Sequence, residues 1–198
     1  MTPMAPRKQQ EIFDATLRLV AERGYDGLTV EGVAERSGVN KTTIYRWWPS
    51  KAALLAAALV ESDVLAFEAP DTGSLRGDLV ALVEGVRRLL TEPPGSDVAV
   101  AALGAAVRHP ELDARRFFAD RFAREREIFE RAVRRGELAE SADPMLIVDL
   151  LAGAVWTRAV FRGLPVHDGF AAQAVATVLD GVAGGVPTRD PFHDGRHR

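Results

Sequence analysis

The stretch Lys41–Trp48, KTTIYRWW, has an unusual surface for a short helix. Ile44 and Trp48 stand four apart and can face a core together, which leaves Lys41, Thr42, Thr43, Tyr45, Arg46 and Trp47 around the remaining faces. These are the residue types a nucleic-acid duplex needs. Lysine and arginine neutralise phosphates. Hydroxyls bond phosphates or base edges, and the threonine methyl meets the thymine methyl. Tyrosine and tryptophan each present a donor on a rigid ring. The plain alternative is the polar face of a small helical bundle, with Thr42 and Thr43 as ordinary helix-start residues. Against it, Tyr45 and Trp47 would then be large aromatics left in water beside Arg46.

Helices must position this surface, because Ala, Leu, Arg and Glu dominate and no β-branched runs alternate with turns. A first helix is predicted from about Gln9 to Arg23, with Phe13, Leu17, Val20 and Ala21 on one face and Gly24 as its stop. Thr29 caps a short second helix that ends at Ser37-Gly38. Asn40 caps the third, Lys41 to Trp48, which Pro49 terminates. Two short helices joined by a few residues that include glycine read as a helix-turn-helix, whose second helix offers its first residues to base edges. Ser50 caps a fourth helix that runs to about Phe67. Lys51 lies at its start, where a cation opposes the helix macrodipole by about 0.3–1 kcal/mol. A phosphate at that helix end would reverse the balance; otherwise Lys51 points into water.

Residues 68–74 (EAPDTGS) form a turn-rich linker. Helices are predicted beyond it at 75–91, 96–107, 111–135, 144–162 and 168–184, with Pro144 at a first helical position behind Asp143. The fold class is therefore all-α. It divides into a helix-turn-helix domain at 1–55, a second helical domain at 56–185, and a tail at 186–198 expected to be disordered.

Composition narrows the functions. The 198 residues contain no cysteine, which excludes a disulfide framework, a thiol nucleophile and cysteine-bound zinc, and suits a cytoplasmic setting. The N-terminus lacks the apolar core of a secretory signal, and Asp149 and Arg158 interrupt the longest apolar run, so no membrane role is expected. Net charge is −3, yet eight cations face six anions over residues 1–55, which leaves the remainder acidic. No phosphate loop, nucleophile elbow or helical metal-ligand pair is visible, so neither an enzyme nor a cofactor is expected. His193 and His197 stand four apart in the tail, where a mobile polar terminus competes with a metal site, and His109 and His167 lie near helix breaks as surface residues.

The segment from Gly24 to Leu55 resembles the DNA-binding domain of TetR-family regulators. The matching positions are Gly24-Tyr25, Thr29, Val33-Ala34, Gly38-Val39, Thr43-Ile44-Tyr45, Ser50-Lys51 and Leu54, while RRGEL and Asp143-Pro144 match more loosely. The resemblance implies that Thr42, Thr43, Tyr45 and Trp47 face the groove and its walls and that Thr29 and Lys51 hold phosphates; the chemistry of the residues adds Lys41 and Arg46. Position 47 is often histidine or a smaller aromatic in relatives and position 48 usually phenylalanine, so Trp47 departs in bulk while Trp48 fills a similar core site.

The resemblance also implies a homodimer on a palindromic double-stranded operator, released by a small-molecule effector that moves the fourth helix. Leu146, Leu150, Ala154, Val175, Val178, Leu179 and Val182 are the candidate dimer contacts, unless these stripes fill only the monomer core. Phe117, Phe118, Phe122, Phe129, Trp156 and Phe161 could line an effector cavity with Arg158 or Asp149 inside, or they are plain core, with Arg158 at the dimer seam or reaching to water.

Overall fold

The structure, a computed structural model, describes residues 8–62, 68–93, 95–112 and 114–181. Among them the elements are α1 (Gln9–Arg23), α2 (Val30–Ser37), α3 (Lys41–Trp47), α4 (Lys51–Glu61), α5 (Leu75–Thr91), α6 (Gly95–Arg108), α7 (Ala114–Arg134), α8 (Pro144–Trp156) and α9 (Phe170–Asp180), with no strand. The all-helical expectation holds.

Side-chain caps set the starts. The Thr29 hydroxyl oxygen accepts from the Gly32 N–H at 3.1 Å, Asn40 Oδ1 from Thr42 at 2.9 Å, and Ser50 Oγ from Ala53 at 3.1 Å. Asp143 Oδ1 accepts from both Met145 and Leu146 behind Pro144. Each cap satisfies a donor that the helix geometry orphans. Gly38 ends α2 with φ 65°, a left-handed conformation that a side chain would resist.

Several helix ends differ from expectation, and α9 runs only from Phe170 to Asp180, where Gly181 leaves helical geometry with φ 74°. α3 stops at Trp47, because Trp48 precedes Pro49 and is extended. α4 is described to Glu61, where Ser62 leaves helical geometry, and residues 63–67 lie outside the described set. The predicted helix at 111–135 begins instead as a separate 3₁₀ turn, Pro110–Leu112, ahead of α7. The helix predicted to 162 converts after Trp156 into a π turn, Thr157–Phe161, in which the Arg162 N–H reaches back to the Thr157 carbonyl at 2.9 Å. The tail at 186–198 and Val182 lie outside the described residues.

Two cores result. The head core joins Phe13, Leu17, Val33, Ile44, Trp48, Leu54 and Leu55, and takes in Ala58 and Leu59 from α4 and Val98, Ala102 and Ala105 from α6. The body core joins Leu79, Val83, Ile128, Phe129, Leu151, Val155 and Val175, with Ala99 from α6. α6 therefore contributes to both. Burial of this apolar area is the main favourable term for the fold.

A charged cluster pins the start of the body. Asp78, fully buried on α5, accepts from the Thr72 N–H at 2.6 Å and the Thr72 hydroxyl at 2.8 Å. Its other oxygen faces Arg131 and Arg135, each at 3.6 Å. Arg131 also donates to the Pro70 carbonyl, so this cluster ties the segment after α4 to α7.

One apolar face is left open. Leu146 and Leu150 are 54% and 52% exposed on α8, and Met145 lies beside them. The span Pro144–Phe161 is long and apolar enough to cross a bilayer by length and composition alone. It carries Asp149 and Arg158, however, and buries Leu151 and Val155 in the body core, so its apolar surface is a stripe rather than an all-round coat.

Candidate nucleic-acid interface

The reading surface is built on three anchors. Ile44 is buried completely, and Trp48 lies edge-on against Phe13 with ring centroids 5.3 Å apart. Across the turn, Arg36 grips Glu22 through two hydrogen bonds of 2.7 and 2.8 Å, which locks α2 on α1. That pairing holds the Glu22 carboxyl below its ordinary range, chiefly through the arginine hydrogen bond.

With α3 fixed this way, Lys41, Thr42 and Arg46 are exposed, Tyr45 is 43% exposed, and Thr43 is half-buried. Among the described residues no side-chain hydrogen bond occupies Thr42, Thr43, Tyr45 or Arg46, while Lys41 Nζ stands 3.8 Å from Glu31 Oε1 across the turn. Thr29 spends its oxygen lone pair on the α2 cap and keeps its own hydroxyl hydrogen to donate. Trp47 sits differently from the expectation. It is half-buried and packs against the head core, so Tyr45 is the more accessible ring.

Lys51 does not point into water. Its Nζ donates to the Tyr25 carbonyl at 2.9 Å and stands 4.4 Å from the centroid of the Tyr25 ring. It ties the first turn of α4 to the loop after α1. Periodicity gives no sign of this contact, nor of His109, whose ring packs on Tyr25 from the end of α6.

The described aromatic candidates differ in their surroundings. The side chains of Phe117 and Phe118 lie outside the described residues, and Phe122 is half-buried on α7. Trp156 packs half-buried on the body core, while Phe161 is 78% exposed on the π turn rather than enclosed. Arg158 is neither in a cavity nor reaching for solvent. Its Nε donates to the Pro165 carbonyl at 2.7 Å and its guanidinium lies over the Phe170 ring, so it fastens the α8–α9 connection. A surface groove of about 400 Å³ lies between the second half of α7 and residues 138–144; Phe129 lines it, and Phe122, Trp156, Arg158 and Phe161 do not.

The dimer candidates separate as well. Leu146 and Leu150 are exposed, and Ala154, Val178 and Leu179 are half-buried. Val175 is buried completely within the single chain and belongs to the body core instead of an outer face. Ala171, one turn before it, is buried too, while Val178 and Leu179, one turn after it on the same side of α9, stay half-buried at the rim of that core.

A three-helix head that projects a polar, hydroxyl-bearing helix, mounted on an all-helical body, defines the class of helix-turn-helix regulators. Residues 12–58 match the family profile described as bacterial regulatory proteins, tetR family, and residues 69–178 match that of a tetracyclin repressor-like C-terminal domain. The chain is 32% identical over 174 residues to the uncharacterized HTH-type transcriptional regulator YdeS of Bacillus subtilis, covering 86% of this chain and 87% of that one. It is 34% identical over 184 residues to the DNA-binding transcriptional repressor TetR of Mycobacteroides abscessus, covering 90% and 95%. The crystal structure of the TetR family transcription regulator SCO0332 aligns with a TM-score of 0.71 at 36% identity, covering 89% of this chain and 99% of that one. The chain belongs to the TetR family of transcriptional regulators.

Proposed function

We propose that this regulator is a cytoplasmic, ligand-responsive repressor, without catalytic activity, that binds a palindromic operator as a homodimer. The observation that carries the reading is the α3 surface: Thr42, Tyr45 and Arg46 stand exposed on a helix whose other side is locked by Ile44 and Trp48. In the helix-turn-helix geometry Thr42 and Thr43 reach base edges, while Thr29, Lys41, Tyr45, Arg46 and Trp47 address the backbone and groove walls. Lys51 serves the same end by fixing the α4 start, from which its ammonium can also face a phosphate. The repressor sense is supported by the Mycobacteroides abscessus relative, a DNA-binding transcriptional repressor.

One reading head spans too few bases for useful specificity, and a two-fold pair doubles the readout. Leu146 and Leu150 on α8, with Val178 and Leu179 on α9, supply the apolar surface that a second copy would cover. The functional division falls within α4, near residue 55, with reading before it and effector binding and pairing after it, while Ala58 and Leu59 still pack in the head core. The effector acts by favouring one spacing of the two heads over the other. α6, which packs in both cores, supports such a link.

The decisive experiment is selection of bound duplexes from a random pool by the full-length protein. A palindromic consensus is the expected result. Recovery of no preferred sequence, with binding independent of salt, would overturn the reading.

A further inference from the structure

The head and α4 form one block. At the start of α4, Lys51 holds the Tyr25 carbonyl and stands against its ring. At the far end, Gln9 Nε2 donates to Glu61 Oε2 at 2.7 Å and Gln10 Nε2 to the Glu61 carbonyl at 3.0 Å, so α1 grips the last turn of α4. A shift of the body therefore cannot swing α4 alone; it must move the block. The body touches that block along α6, through Val98, Ala102 and Ala105, through Leu112, through α7 where it packs on α4, and just past the end of α6 through a side chain with a different character. His109 lays its ring on Tyr25 with centroids 4.4 Å apart and planes at 53°, and its Nε2 stands 3.6 Å from Asp26 Oδ1. Tyr25 thus meets His109 of the body and Lys51 of α4 at once.

We propose that His109 is a positioning residue for DNA reading: its ring sets the Tyr25–Lys51 contact, and through it the first turn of α4 and the recognition helix immediately before it. The inference rests on the DNA-binding function proposed above. At 3.6 Å the Asp26 contact is too long for a hydrogen bond, whereas the His109 and Tyr25 rings are in direct contact. A ring packed in this tilted manner is direction-sensitive. Sliding α6 along its axis would change the Tyr25 contact before it disturbed the apolar packing of Ala102 and Ala105, since an alanine methyl tolerates a small slide better than an aromatic pair does.

The test uses the full-length protein, the duplex recovered by selection, and three variants: His109→Ala, His109→Phe and His109→Gln. Operator affinity, thermal midpoint and tryptophan emission are read together, since Trp47 and Trp48 flank the end of α3. His109→Ala is expected to weaken operator binding by about fivefold or more, the lower range of coupling between sites, and to shift the tryptophan emission with little change in midpoint. His109→Phe, which keeps a ring, restores affinity and emission; His109→Gln, which keeps only a polar end, does not. Parent-like affinity and emission in His109→Ala overturn the proposal. If that variant does not fold, equal affinities for the Phe and Gln variants overturn it. Failure of the parent to bind any duplex refutes the DNA-binding function itself, a different result from equal binding by parent and variants.

Discussion

Replacing Asp78 by alanine is expected to cost about 3 kcal/mol of folding stability. The carboxylate is fully buried, receives two hydrogen bonds from Thr72 at 2.6 and 2.8 Å, and faces Arg131 and Arg135 at 3.6 Å each. Removing one partner of a buried charge cluster typically costs about 3–5 kcal/mol. The lower end applies, because the arginines keep other partners: Arg131 has Glu127 at 3.2 Å, and Arg135 has Glu137 at 2.6 Å. Asp78→Asn keeps the shape and one acceptor oxygen for Thr72 and removes only the charge, so about half that loss is expected, on the scale by which charged hydrogen bonds exceed neutral ones. Urea unfolding at fixed protein concentration measures both. With a slope near 3 kcal/mol per molar, the alanine midpoint falls by about 1 M and the asparagine midpoint by about 0.5 M. An alanine variant with the parent's midpoint and slope would refute the reasoning, since it would mean that the cluster adds nothing beyond what its desolvation costs.

Three further outcomes are expected. Lys41→Ala and Arg46→Ala each flatten the dependence of log binding constant on log salt by about 0.9 if each meets one phosphate, whereas Thr42→Val changes base preference in a selection experiment more than overall affinity; unchanged slopes and preference would remove these residues from the interface. Leu146→Asp combined with Leu150→Asp places charges on the open α8 face and is expected to give monomers by sedimentation, with operator affinity lost; a dimer that persists would show that another surface pairs the chains. Glu125 is buried, and burial pushes its carboxyl above the ordinary range against the opposing pull of Arg121. Its protonated form is thus favoured by folding, so the stability it confers is complete below about pH 4.3, the unfolded value, and is lost as pH rises toward the raised folded value. The urea midpoint of Glu125→Gln should therefore gain on the parent's between pH 4 and 7, and a constant difference would contradict this.

Much of the head was legible in the sequence, for local reasons. Thr29, Asn40, Ser50 and Asp143 mark helix starts by side-chain chemistry that acts within three residues, and all four cap as expected. Ile44 and Trp48 are inward because helical spacing dictates it. What failed was long-range. Lys51 was read against its own helix, yet its partner is the Tyr25 carbonyl, twenty-six residues earlier. The sequence leaves Arg158 open between a cavity, the dimer seam and water, yet the chain folds back beyond Gly163 and delivers the Pro165 carbonyl to it. Val175 belongs to a stripe whose inner and outer edges cannot be told apart until α5 and α8 are packed against it. An aromatic count on α7 and α8 could not distinguish enclosure from the exposure that Phe161 shows.

The clasp of Gln9 and Gln10 on Glu61 has an evolutionary corollary. Because the fourth helix is held at its end to α1 and at its start to the loop after α1, the distance between the two heads in the proposed dimer is set beyond Glu61, not within the head. Base preference and half-site separation are then independent dials: substitutions on α3 retune the former, and changes in the body or in the length of the connection retune the latter. A lineage could drift to a differently spaced operator while its recognition helix stays the same.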